Sequence, residues 1–131
     1  MSDQPKKTLI VDDDVDFISA NKVALESMGF DVVTATDSKQ GVEFAQSEDP
    51  DIIILDLMME RLYSGFSVVE SLRAHEATAH IPIIMVSAVT TDTGFRVDAE
   101  GKAPAWLEVV EFINKPVDPV ELARKVASIL E

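Results

Sequence analysis

Blocks of apolar residues alternate with mixed segments along the chain. Four short runs are continuously apolar and rich in β-branched residues: TLIV (8–11), IIIL (52–55), IPIIMV (81–86) and VVEFI (109–113). A fifth run, DVVTA (31–35), mixes apolar and polar residues. Continuous apolarity is typical of strands covered on both faces, as in a parallel sheet, whereas a mixed run suits an edge strand. The pattern predicts five strands, with residues 31–35 at an edge.

The segments between these runs carry apolar residues at helical spacing. Helices are predicted over residues 17–28, 37–47, 64–74 and 119–129. Asp37 and Asp118 suit the N-caps of the second and last helices, and either Asp14 or Asp16 suits the first. Between Thr90 and Leu107, two glycines and a proline disfavour a long helix, so a short or broken one is expected. The alternation predicts an α/β domain with a doubly wound parallel sheet.

Composition narrows the classes of function. The chain has 131 residues, the size of one domain, and a formal net charge of −13. Nucleic acids and anionic membranes are bound through basic patches, so direct binding to either is not expected. The absence of cysteine excludes disulfides and thiolate metal sites. No stretch resembles a signal peptide or a membrane span, so a single cytoplasmic domain over residues 1–131 is expected.

Polar residues follow the ends of the predicted strands. In a doubly wound sheet these carboxyl ends form one rim, where ligands bind. The residues expected there are Asp12, Asp13 and Asp14 after the first strand, Asp56 after the third, Ser87 after the fourth and Lys115 after the last. Two carboxylates about 4 Å apart repel by about 4 kcal/mol at an effective dielectric of about 20. Such crowding favours a site for a divalent cation.

Phosphoryl transfer is the chemistry that this set of groups suits. Magnesium (Mg2+) prefers oxygen ligands and needs only one or two carboxylates plus a phosphate. Asp12 and Asp13 are the expected metal ligands, which leaves Asp56 as a nucleophile towards phosphorus. The Lys115 ammonium and the Ser87 hydroxyl are expected to bind the remaining phosphoryl oxygens.

These residues together resemble the receiver domain of two-component response regulators, over essentially the whole chain. LIVDDDVDF matches the acid pair of the family at Asp12 and Asp13, and DIIILDLMM places Asp56 at its phosphoacceptor position. IPIIMVSA places Ser87 at the Ser/Thr switch position, and FINKPVDP places Lys115 at the family's lysine.

The resemblance implies both a fold and a mode of action. It implies a flavodoxin-like sheet of strand order 2-1-3-4-5 with helices on both faces. It also implies Mg2+ held by Asp12, Asp13, Asp56 and the backbone carbonyl of Met58. A sensor histidine kinase would donate the phosphoryl group, and the resulting shift, with Phe112 as the signalling aromatic, would alter binding of a downstream protein partner. Slow self-dephosphorylation, and not enzymatic turnover, is implied.

Two local features qualify or extend the resemblance. Members of the family usually have a proline four residues after the phosphoacceptor and a glycine eight after it, whereas this chain has Glu60 and, nine residues on, Gly65. A cis peptide is expected between Lys115 and Pro116, because it would turn the lysine back towards the acids and the family supports it.

Three other functions fit parts of the sequence. A phosphatase of the haloacid-dehalogenase type would use Asp12 of an Asp12-x-Asp14 motif as its nucleophile. A flavodoxin-like carrier of FMN would need a phosphate loop where this chain has carboxylates. A receiver that works as an unphosphorylated scaffold would not need the complete set of rim residues.

Overall fold

The computed structural model describes residues 5–59, 64–87 and 109–131. Its elements, in chain order, are β1 (Lys7–Val11), α1 (Val15–Ser27), β2 (Asp31–Ala35), α2 (Ser38–Glu48), β3 (Ile52–Asp56), α3 (Ser64–Arg73), β4 (Ile83–Ser87), β5 (Glu111–Asn114) and α4 (Pro119–Leu130). No helix in these ranges is long and apolar enough to cross a membrane. The predicted broken helix between Thr90 and Leu107 lies outside the described residues.

The five strands form one parallel sheet in the order β2-β1-β3-β4-β5. The fold class is therefore confirmed, including β2 at an edge. The apolar run at residues 81–86 is longer than its strand: β4 begins only at Ile83, because Ile81 still belongs to the preceding turn and donates its N–H to the Thr78 carbonyl at 3.2 Å.

Side chains of the central strands point alternately into two apolar layers. In one layer, Leu9, Ile53 and Met85 pack with α2 and α3. In the other layer, Ile10 and Ile54 pack with α1 and α4. The central residues of β1, β3 and β4 are almost completely inaccessible to solvent. Both faces of these strands are thus covered, which is why their sequences are continuously apolar.

Aspartates are the N-cap residues of three helices. The side chain of Asp14 accepts the Phe17 N–H of α1, that of Asp37 accepts the Gln40 N–H of α2, and that of Asp118 accepts the Glu121 N–H of α4. The predicted caps are confirmed, and Asp14, not Asp16, caps α1.

Gly65 allows α3 to approach the end of β3. A Cβ at this position would lie 2.6 Å from the Asp56 carbonyl oxygen and 2.7 Å from the Leu57 Cα. The Gly65 N–H also donates to the Leu57 carbonyl at 2.6 Å. Because both clashes are with backbone, rotation of a side chain cannot relieve them.

We expect Gly65→Ala to destabilise the protein, although alanine favours a helix by up to about 1 kcal/mol. The clash should dominate, with a net loss of about 2 kcal/mol in the free energy of unfolding measured by urea denaturation. Ser67→Ala, at an exposed position of the same helix, should change it by less than about 0.5 kcal/mol. A Gly65→Ala protein as stable as the parent would contradict this packing.

Candidate functional site

Three carboxylates converge at the carboxyl edge of the sheet. Asp12 and Asp13 follow β1, and Asp56 is the last residue of β3. One carboxylate oxygen of each lies within 4.8 Å of the others, with Asp12 and Asp56 buried and Asp13 exposed. The structure therefore brings together three of the four acids that the sequence placed on this rim, all but Asp14.

Asp12 is held by contacts to both of its carboxylate oxygens. The Asp14 N–H donates to its Oδ1 at 2.9 Å, and the Lys115 ammonium donates to its Oδ2 at 2.9 Å. Its backbone N–H donates to the Ala35 carbonyl at 3.0 Å. With its side chain fully inaccessible, Asp12 is the fixed member of the cluster.

The surroundings of Asp56 change its pKa. Its Oδ1 accepts the Met58 N–H at 3.3 Å, and its Oδ2 lies 3.8 Å from the Lys115 ammonium. Burial raises the pKa of Asp56 to about 7, with a further rise from Asp12, while Lys115 and the Met58 N–H act in the opposite direction. The Lys115 ammonium therefore does not offset the combined effect of burial and of the neighbouring carboxylates.

Lys115 occupies the centre of the site. It follows β5, its peptide bond to Pro116 is cis as predicted, and its side chain is 16% exposed. Besides contacting Asp12 and Asp56, its ammonium lies 4.4 Å from the centroid of the Phe17 ring. Sequence reasoning placed Phe17 only on the apolar face of α1, because nothing local to residue 17 indicates a cation from another strand.

For Ser87, Met58 and Phe112, the structure gives a position in the fold but no contact that tests their predicted roles. Ser87 is the last residue of β4 and pairs in register with Asn114, so its backbone reaches the same rim. Met58 is half-buried just after Asp56. Phe112 is 3% exposed, opposite Met85 in the sheet, and belongs to the core layer that faces α2 and α3. The roles assigned to these three residues stay predictions.

The donor set of the rim fits a hard divalent cation. All three groups of the cluster are carboxylates, which are the ligands that such cations prefer. Two of the acids are buried, so a cation would relieve repulsion that solvent screens poorly. Asp14 is outside the cluster because its side chain caps α1.

The chain is similar to known proteins in family, in sequence and in structure. Residues 8–127 match the family model described as "Response regulator receiver domain". The chain is 33% identical over 127 residues to the alkaline phosphatase synthesis transcriptional regulatory protein PhoP of Bacillus subtilis, covering 95% of this chain and 48% of PhoP. It is also 33% identical over 128 residues to the DNA-binding dual master transcriptional regulator RpaA of Synechocystis, with coverage of 95% and 48%. The chain thus spans about half the length of these curated relatives.

Similar solved structures cover nearly all of the chain. The chemotaxis response regulator CheY4 of Vibrio cholerae superposes with a TM-score of 0.77 at 26% identity, covering 97% of this chain and 99% of CheY4. A response regulator of Desulfuromonas acetoxidans gives a TM-score of 0.77 at 27% identity, with coverage of 95% and 96%.

The raised pKa of Asp56 predicts that the metal-free protein is stabilised by Asp56→Asn. Since the folded pKa exceeds the ordinary 3.8, the native state binds this proton more tightly than the unfolded state. Ionisation of Asp56 therefore removes stability as the pH rises from about 4 to about 7. The stabilisation by Asp56→Asn should grow by about 3 kcal/mol over that range.

Urea denaturation in EDTA at several pH values measures this stabilisation. Asp49→Asn, which removes an exposed carboxylate at the C-cap of α2, is the control and should lack this pH dependence. If Asp56→Asn were destabilising at pH 8, the unfavourable ionisation of Asp56 would be disproved.

Proposed function

Because the chain belongs to the response regulator receiver family, we propose that it is a signalling switch controlled by phosphorylation of Asp56. One observation carries this proposal. Asp56 ends a buried strand, beside the carboxylates of Asp12 and Asp13 and 3.8 Å from the Lys115 ammonium. A nucleophile, a cation site and a fixed positive charge are the groups that phosphoryl transfer requires.

The proposed transfer moves a phosphoryl group from a histidine of a sensor kinase to Asp56. An Asp56 carboxylate oxygen attacks phosphorus as the P–N bond breaks, and the electron pair of that bond leaves with the imidazole. The product is an acyl phosphate on Asp56 and a neutral kinase histidine after protonation of the imidazole. Lys115 and the Ser87 hydroxyl would bind the phosphoryl oxygens, where fixed donors stabilise the developing charge.

The proposed metal ligands are Asp12, Asp13, Asp56 and the backbone carbonyl of Met58. The clustered carboxylate oxygens within 4.8 Å of one another support this assignment. Mg2+ bound there would neutralise phosphoryl oxygens and offset the repulsion among the acids.

Asp56 is a better nucleophile candidate than Asp12, the residue that a phosphatase of the haloacid-dehalogenase type would use. Both carboxylate oxygens of Asp12 accept hydrogen bonds at 2.9 Å. The corresponding contacts of Asp56 are longer, 3.3 Å to the Met58 N–H and 3.8 Å to the Lys115 ammonium. An oxygen that already accepts a short bond from an ammonium is a weaker nucleophile.

The output of the switch is proposed to be a changed affinity for a downstream protein. Direct binding to nucleic acid or membrane is not proposed, because the net charge of −13 would repel both.

We propose one receiver domain over residues 1–131 that acts in the cytoplasm and does not turn over a substrate. Phe112 would signal by a change of its ring position, starting from the buried position it has here.

Phosphorylation should occur on Asp56 and require a divalent cation. Incubation with acetyl phosphate and Mg2+ should add one phosphoryl group, measured by intact mass, and peptide mapping should place it on Asp56. Asp56→Asn and EDTA should each abolish the adduct. A persistent adduct in Asp56→Asn, above all one mapped to Asp12, would favour the phosphatase alternative.

Asp13 should contribute more to Mg2+ affinity than Asp14 does. Asp13 lies in the carboxylate cluster, whereas Asp14 caps α1, a task that asparagine also performs. Calorimetric titration with Mg2+ should show a loss of about ten-fold for Asp13→Asn and less than about three-fold for Asp14→Asn. Equal losses would mean that the ligands are assigned wrongly within the triplet.

A further inference from the structure

The ring of Phe17 lies against the ammonium on which the proposed transfer depends. Lys115 Nζ is 4.4 Å from the ring centroid, 2.9 Å from Asp12 Oδ2 and 3.8 Å from Asp56 Oδ2. A cation within about 6 Å of an aromatic face is attracted by the ring quadrupole, and more strongly where water is excluded. At 16% exposure, the Lys115 side chain is largely shielded from water.

We propose that Phe17 is a positioning residue that keeps the Lys115 ammonium beside Asp56, an inference that rests on the proposed function. The ammonium is closer to Asp12 than to Asp56 by 0.9 Å, the difference between the 2.9 Å and 3.8 Å contacts. A phosphoryl group on Asp56 needs this charge nearby, whereas Asp12 alone would draw it away. The ring supplies a third contact, so the position of the ammonium does not depend on the acids alone.

The Phe17 ring attracts the Lys115 ammonium through its quadrupole, whereas the carboxylates attract it through their net charge. Binding of a divalent cation to the acids would weaken their pull on Lys115, because their charge would be shared. The quadrupole of Phe17 would be unchanged, so the ring contact would remain when the ion pairs loosen. A lysine side chain that loses its ion-pair partners regains conformational freedom about its rotatable bonds. The contact with the ring limits that freedom.

The first turn of α1 fixes the position of Phe17. Its N–H donates to Asp14 Oδ1 at 3.2 Å, and its carbonyl accepts the Asn21 Nδ2 at 2.8 Å. Asn21 is 2% exposed, and Phe17 itself is half-buried against the layer that contains Ile18. The Asp14 cap thus also helps to place a ring over the lysine from another part of the chain.

Substitutions at residue 17 separate the effect of the ring from that of apolar volume. Phe17→Leu keeps an apolar side chain without a ring, and Phe17→Tyr keeps the ring. With acetyl phosphate and Mg2+, Phe17→Leu should lower the maximal rate of Asp56 phosphorylation about five-fold, and Phe17→Tyr should stay within about two-fold of the parent. Phe30→Leu is the matched control, a half-buried phenylalanine of the same apolar layer that precedes β2 at the opposite edge of the sheet. It should retain the parental rate.

A double-mutant cycle tests whether Phe17 acts through Lys115. In a Lys115→Ala background, Phe17→Leu should have no further effect on the rate. A five-fold loss that persists in that background, or equal rates for Phe17→Leu and the parent, would overturn the proposal. If Phe17→Leu unfolds, as judged by its thermal melt, Phe17→Met takes its place in the cycle.

Nuclear magnetic resonance gives a readout that does not depend on phosphorylation. The Lys115 ε-methylene protons should be shifted upfield by the ring current in the parent and in Phe17→Tyr, and this shift should be lost in Phe17→Leu. Its absence in the parent would overturn the proposal. Failure of the parent to become phosphorylated on Asp56, with the ring-current shift present, would instead refute the proposed function.

Discussion

The repulsion among Asp12, Asp13 and Asp56 is the constraint on which the rest of the site depends. Their oxygens lie within 4.8 Å of one another, and two of the three side chains are buried, where water screens charge poorly. The pKa of Asp56 is raised to about 7, first by burial and then by the charge of Asp12, although Lys115 lowers it. Burial and like charge thus both disfavour ionisation of Asp56, and a divalent cation at the cluster would offset both effects.

The apolar sheet is what makes such crowding possible. β1 and β3 are neighbouring parallel strands in register, so the residues at their carboxyl ends must lie side by side. Their apolar side chains are buried in both layers, which prevents the ends from separating to relieve repulsion. Gly65 adds to this rigidity, because it lets α3 pack directly on the backbone at Asp56 and Leu57.

The three consecutive aspartates after β1 have three different environments. Asp12 is inaccessible and doubly hydrogen-bonded, Asp13 is exposed within the acid cluster, and Asp14 turns away to cap α1. That cap also fixes the first turn of the helix, which carries Phe17 to the Lys115 ammonium. The three aspartates between β1 and α1 thus have separate tasks: two belong to the acid cluster, and the third caps the helix.

Within the described residues, the sequence by itself determined the type and approximate position of the elements and most of the residues at the rim. Those properties follow from local patterns: continuous apolar runs, helical spacing, caps at Asp37 and Asp118, and the polar residue that ends each strand. The strand order came from resemblance to the receiver family and not from any pattern, because the pairing of distant segments leaves little local trace.

Only the tertiary structure decided which atoms meet at the rim. It selected Asp14 over Asp16 as the cap of α1, placed Phe17 beside Lys115 and showed why Gly65 suits its position. It also raised the pKa of Asp56, which depends on burial and on charges from other strands. The Asp14 cap is a local contact that the sequence left open between two aspartates. The other properties depend on burial and on contacts between segments that the folded sheet brings together.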